Sequence, residues 1–339
     1  VTVFFPADSV ESIYPGKLFT ASKSSETFTA ETGCRAVLSV SSVPDSAHKS
    51  CVCFCVSSVT GTGWHKGIKG IIDKFRAQCR LSFRRILSYW GPAGGLFLAL
   101  LSGSRDYTEQ CLSDSFKRAG LAHILALSGM HLSLFSGLAS FIGKKAASIR
   151  IAQGLRLFSI LFFVWFAGLS PSLLRALLCS LILFTMNMLR MKRLDAVNVL
   201  GTAFLAHTVI YPADVVSAAF MLSYGALAGI LIVSPYIKRL FSRRFFPNLS
   251  SSFSDSCSAQ LFTAPVTAAL FGTLTPGGIP ASVIVSPLVT VFIYAGLFCF
   301  IVSLALPFLS PFIRDTMIAF YAVIKGTVML FATVPPVTI

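Results

Sequence analysis

Gly120-Leu-Ala-His-Ile-Leu-Ala-Leu-Ser-Gly-Met-His-Leu-Ser-Leu-Phe-Ser-Gly-Leu-Ala-Ser140 is an apolar run that carries two histidines and no Asp, Glu, Lys or Arg. About 20 residues of helix cross the hydrocarbon core of a bilayer, so the run predicts a membrane helix. Gly129, Ser133 and Gly137 recur every fourth residue, with Ser136 and Ser140 beside them, and a stripe without bulk lets a second helix approach closely. His123 and His131 stand about 80° apart around a helix axis, on adjoining faces, and Ser128 lies one turn before His131. Two readings of these groups stay open. They hydrogen-bond across a helix interface, or they line a polar path through the membrane. Both require a polytopic bundle.

Working outward, the chain has 339 residues, of which 55% are hydrophobic and 12% charged. Soluble domains carry about 25% charged residues, so an ordinary soluble domain is excluded. Lys and Arg outnumber Asp and Glu by 28 to 13, a net charge of +15, which suits anionic lipid, nucleic acid and cytoplasmic loops of a membrane protein. Nine cysteines give no complete disulfide framework. Cys51, Cys53 and Cys55 alternate along a strand pattern and share one face. A metal knuckle would need Cys-x-x-Cys and a second ligand pair, so they read as packing residues; no metal and no cofactor is expected. The chain starts at Val1 without a signal-peptide pattern and is expected to be a piece of a longer protein.

Three regions follow from composition. Residues 1–62 are rich in Ser, Thr and Val, with short alternating runs broken by Pro6, Pro15-Gly16, Gly33, Pro44 and Gly61, and predict β-strands. Residues 63–90 turn helical. Ile68, Ile71, Ile72, Phe75, Cys79, Phe83, Ile86 and Trp90 fall on one side, and Lys66, Lys69, Lys74, Arg76, Arg80, Arg84 and Arg85 on the other. This basic amphipathic helix is expected to lie at an interface, its cations on lipid or DNA phosphates. Residues 91–339 predict a helical bundle. Gly91–Gly103 is apolar but too short to cross, and reads as a half-spanning piece. Further apolar segments fall at about 155–169, 171–189, 196–211, 213–236, 259–273, 280–306 and 312–333.

Lys144, Lys145, Arg150 and Arg156, then Arg190, Lys192 and Arg193, then Lys238, Arg239, Arg243 and Arg244 alternate with links that hold no Lys or Arg. The clusters map to the cytoplasm, and 104–120, Ser170-Pro171, Tyr211-Pro212 and 273–280 to the outside, with 1–62. Ser170 and Pro171 are placed to start a helix in which Arg175 is the one strong charge. Arg175 either snorkels to headgroups or sets a fixed charge at a cavity mouth. Pro265 and Pro287 are expected to interrupt their segments, with Gln260 opening that region, and broken backbone at membrane depth lines cavities or protein interior.

At Gly120–His131 the sequence resembles the signature of the ComEC competence family, Gly-Leu-Ala-His-Leu-Leu-Ala-Ile-Ser-Gly-Leu-His, with Ile124, Leu127 and Met130 as conservative differences. Gly168-Leu-Ser-Pro-Ser-Leu-Leu-Arg-Ala176, Met221-Leu-Ser-Tyr-Gly-Ala-Leu-Ala-Gly-Ile230 and Gln260-Leu-Phe-Thr-Ala-Pro265, leading to Pro287-Leu288, keep the family's order. The resemblance covers 91–339, and over 1–62 it extends to a partial OB-like domain. It implies an all-α polytopic bundle with short and broken helices in the cytoplasmic (inner) membrane, conducting single-stranded DNA into the cytoplasm. His123, Ser128, Gly129, His131, Pro171, Arg175 and Gln260 are the matching path positions; Met221 stands where the family has Gln. A DNA receptor outside and an ATP-driven motor inside are the implied partners. A transporter of a small or lipid-linked solute is the competing reading. No Gly-x-Ser-x-Gly elbow, His-Glu-x-x-His helix or membrane carboxylate pair occurs, so no catalytic residue is expected.

Overall fold

A computed structural model describes residues 2–4, 34–43, 53–64, 67–103, 107–125, 132, 137, 149–189, 194–241, 247–275, 277–334 and 337–338. The chain divides into two compact units, Val1–Gly91 and Pro92–Ile339.

The first unit holds strands β1 (Thr2–Phe4), β2 (Cys34–Val43) and β3 (Cys53–Trp64) and helix α1 (Ile68–Ser88). The sheet order is β1-β3-β2, with β1 parallel and β2 antiparallel to β3. Register runs from Cys34 opposite Trp64 to Val43 opposite Cys53, with shifts at Ala36/Val37 and Ser39/Val40. A five-stranded OB barrel is not present among the described residues, so the OB-like expectation gains no support.

Helix α1 departs from a uniform apolar stripe. Ile68, Ile71, Ile72 and Phe75 are exposed, whereas Ala77, Leu81 and Leu87 are buried. Lys69 and Lys74 are exposed; Arg76, Arg80, Arg84 and Arg85 are half-buried and engaged by other groups. The helix is therefore amphipathic toward open surface only in its first two turns. Lys66 lies outside the described residues.

The second unit is helical: α2 (Pro92–Ser102), α3 (Gln110–Arg118), α4 (Ala122–Leu125), α5 (Ile149–Ala167), α6 (Pro171–Met188), α7 (Ala196–Ile210), α8 (Ala218–Ile232), α9 (Ser234–Phe241), α10 (Pro247–Phe271), α11 (Gly278–Ala305) and α12 (Ser310–Ala332). Among the described residues, α6, α11 and α12 are long and apolar enough to cross a membrane, and α8 with α9, bent by 43°, have the combined length and apolarity of a broken span or a re-entrant loop. The protein is a multi-pass membrane protein. Val209, Phe158, Leu205, Phe298 and Leu330 face outward, as lipid-facing side chains do.

At the centre sits α2. Every residue from Ala93 to Ser102 is buried, and the helix packs on α4, α5, α11 and α12. Phe97 meets Phe292 of α11 edge to face, with centroids 6.0 Å apart. A half-length helix is tolerated here because protein, not lipid, surrounds it.

Two expectations about backbone breaks are corrected. Pro265 and Pro287 lie inside continuous helices α10 and α11, and proline within a helix is tolerated at membrane depth. The breaks fall elsewhere. The 213–236 segment splits into a 3-10 turn (Pro212–Val216), α8 and α9, and α10 and α11 are joined through β4 (Thr273–Leu274), which pairs antiparallel with β5 (Val337–Thr338).

Candidate functional site

The run that opens at Gly120 begins with a helix stop. Leu121 N–H donates to Phe116 O at 2.8 Å and Gly120 N–H to Lys117 O at 3.0 Å, closing α3 with Gly120 at φ +73°, the left-handed cap geometry that glycine adopts without penalty. Glycine is needed there for a second reason. A Cβ on Gly120 would stand 2.5 Å from Thr275 Oγ1 and 3.0 Å from the Cα of Gly278. The α3–α4 corner is therefore pressed onto the link between α10 and α11. Gln260 holds the same link from α10: its Nε2 donates to Thr275 O at 2.7 Å.

The other motif segments join this junction. Gly229 of α8 packs on α10 so closely that a Cβ would stand 3.1 Å from Phe262 and well inside contact with the Ser258 carbonyl oxygen; small residues let membrane helices meet this way. On the opposite side of α8, Arg175 of α6 donates through Nη1 to Ser223 O, and its guanidinium lies 6.0 Å from the centre of the Tyr224 ring. Arg175 is buried, 9% exposed. Among the described residues it has no carboxylate partner, and its Nε is unpaired. Four sequence segments, at 120, 175, 221–230 and 260–265, thus form one connected cluster.

Pro171 belongs to the start of α6, where Leu173 N–H donates to Ser170 Oγ at 3.4 Å. Its position is explained by helix initiation. His123 lies in α4 and is exposed. Ser128, Gly129 and His131 lie outside the described residues, as does most of the expected 120–140 helix; of its second half, Leu132 is buried and Gly137 exposed.

Several polar contacts were not anticipated from the sequence. Buried His207 of α7 sits between Asp214 (Nε2 to Oδ2, 3.2 Å) and Tyr224 (Nδ1 to Oη, 3.2 Å), and Tyr224 Oη donates to Ala203 O at 3.1 Å. Lys325 of α12 bonds Glu109 at 2.6 Å, and that bond holds the Glu109 carboxyl below its ordinary range. Asp255 of α10 takes Ser234 Oγ at 2.5 Å and Lys238 Nζ at 2.8 Å. A lone His or Lys inside an apolar helix was the only sequence signal for these partners; pairing needed the fold.

Residues 100–339 match the model of the family described as Competence protein. The chain belongs to the Competence protein family. This is the ComEC competence family that its motifs resemble, and the match covers the whole of the junction just described. Over 203 residues the chain is 23% identical to the ComE operon protein 3 of Bacillus subtilis (strain 168), an overlap of 60% of this chain and 25% of that protein. The chain thus spans about a quarter of the length of this curated relative. No solved structure matches. Within the Competence family frame, Gly120, Arg175, Gly229 and Gln260 are the positions whose packing connects the motifs.

Proposed function

We propose that this chain is the membrane part of a DNA-uptake channel that passes single-stranded DNA across the cytoplasmic (inner) membrane during natural transformation. The observation that carries the reading is the cluster joining Gly120, Arg175, Gly229 and Gln260, in which a buried guanidinium has no carboxylate partner among the described residues. An unpaired cation at membrane depth is costly unless it serves an anion or a structural bond. Arg175 has one structural bond and keeps an unpaired Nε for a phosphate oxygen. The net charge of +15 favours a polyanion by the same logic. Residues 1–62 lie outside the cytoplasm in this scheme, a receptor delivers DNA there, and an ATP-driven motor draws it in from the other side. Membrane lipids hold the exposed Lys69 and Lys74 of α1. The chain acts as a conduit and not as an enzyme.

Labelled-DNA transformation tests the scheme in a host whose full-length gene carries Arg175→Ala or Gln260→Ala, with lipid-facing Phe298→Leu as the control and membrane protein levels measured. Loss of cytoplasmic DNA in the first two at normal protein levels is expected. Wild-type uptake in both would remove the cluster from the path. Import of a small solute without DNA by reconstituted protein would move the transporter reading ahead.

A further inference from the structure

We propose that Asp214, His207 and Tyr224 form a proton-binding site that clasps α7 to α8. The argument is a count of hydrogens. In the closed clasp the one hydroxyl hydrogen of Tyr224 is given to the Ala203 carbonyl, 3.1 Å away. The same oxygen lies 3.2 Å from His207 Nδ1. With its own hydrogen committed, Oη can only accept from the ring, so Nδ1 carries a hydrogen. The opposite nitrogen, Nε2, lies 3.2 Å from a carboxylate oxygen of Asp214, and that contact also requires a hydrogen. All three contacts therefore close only when the His207–Asp214 pair holds one proton more than a neutral imidazole beside an ionised carboxylate. The ring is fully buried, at 0% exposed, so water does not supply a missing partner.

Removing that proton has a defined consequence. It passes to water through Asp214, whose side chain is 33% exposed in the turn between the two helices. The ring keeps its hydrogen on Nε2, facing the carboxylate, and Nδ1 becomes an acceptor. The Tyr224 hydroxyl then turns from Ala203 O to Nδ1, and the α7 carbonyl loses its donor from α8.

The neighbouring titratable and charged groups are known from each packed element. Asp214 comes from the turn, Tyr224 from α8, and Arg175 and Cys179 from α6; Cys179 packs in the cluster of Leu200, Phe220 and Tyr224. Phe220 closes the remaining side, its ring 4.9 Å from the imidazole. Arg175 lies over Tyr224 and bonds the adjacent Ser223. The clasp stands whether or not the chain conducts DNA.

The test is 15N magnetic resonance of histidine-labelled full chain in lipid bilayers across pH. His207 is assigned among the five histidines by its loss in His207→Gln, and independently by its shift in Tyr224→Phe. Nδ1 is expected to carry hydrogen at low pH and to become bare as pH rises. In Asp214→Asn Nδ1 becomes bare at lower pH than in the native chain, because the facing carboxylate is gone. An Nδ1 that keeps one state across the range, or a transition unmoved by Asp214→Asn, overturns the proposal. Neither result depends on DNA uptake.

Discussion

Gly120→Ala isolates the contact on which the junction rests. Two costs act together. At φ +73° an L side chain meets the left-handed penalty, roughly 1–2 kcal/mol. The new Cβ also meets Thr275 Oγ1 at 2.5 Å, Thr275 Cβ at 3.0 Å and the Gly278 Cα at 3.0 Å, and overpacking of this kind costs about 1–3 kcal/mol. Gly272→Ala separates the two, because Gly272 has φ +62° but nothing within 4 Å of its Cβ position. It pays only the backbone cost. In purified chain held in nanodiscs, each kcal/mol lowers the apparent melting midpoint by about 2–4 °C for a unit of this size. Gly120→Ala is expected to melt several degrees below Gly272→Ala. Adding Thr275→Gly removes two of the three clashing atoms, so Gly120→Ala is expected to cost less in the Thr275→Gly background than in the native one. If Gly120→Ala melts with or above Gly272→Ala, or costs as much in the Thr275→Gly background as in the native one, the α3–α4 corner does not press on the α10–α11 link.

Gln260→Leu removes one of the two donors on the half-buried Thr275 carbonyl, leaving the Gly278 N–H at 2.9 Å, and is expected to cost about 0.5–1.5 kcal/mol, read as faster backbone hydrogen exchange over 272–278. The Glu109 carboxyl is lowered by its bond to Lys325, so its contribution is present above the ordinary carboxylate range and is lost as pH falls through the lowered value. The melting difference between the native chain and Glu109→Gln should therefore vanish in acid; a difference that grows in acid would contradict the pairing. Ile71 is exposed on the first turns of α1, and in Ile71→Trp the added emission should be quenched by lipids with brominated chains. Quenching by aqueous iodide instead would put that face in water.

Much of the second unit was legible in the sequence because the membrane permits few solutions. Long apolar runs with few charges fold as helices in a membrane, and the runs read at 171–189, 280–306 and 312–333 coincide with α6, α11 and α12 within a few residues. Gly91–Gly103 was recognisable as a half-length piece by counting residues against bilayer thickness, and Ser170-Pro171 marked a helix start by cap chemistry. The four motifs identified the family because they are local strings in a fixed order.

Contacts between distant segments were not legible. Pro265 and Pro287 looked like breaks because proline removes a backbone donor, but neighbouring helices decide whether that loss bends a helix. Arg175 carried no sign of its partner, the Ser223 carbonyl that α8 brings to it. His207, Asp214 and Tyr224 are separated by apolar residues that carry no sign of pairing; the 3-10 turn folds Asp214 back over the ring and α8 supplies the tyrosine. The sequence by itself therefore determined that this chain enters a membrane as helices and which family it joins, since hydropathy and short motifs are properties of adjacent residues. Only the tertiary structure decided which polar groups meet, because a hydrogen bond between helices depends on register and crossing, which no single segment encodes.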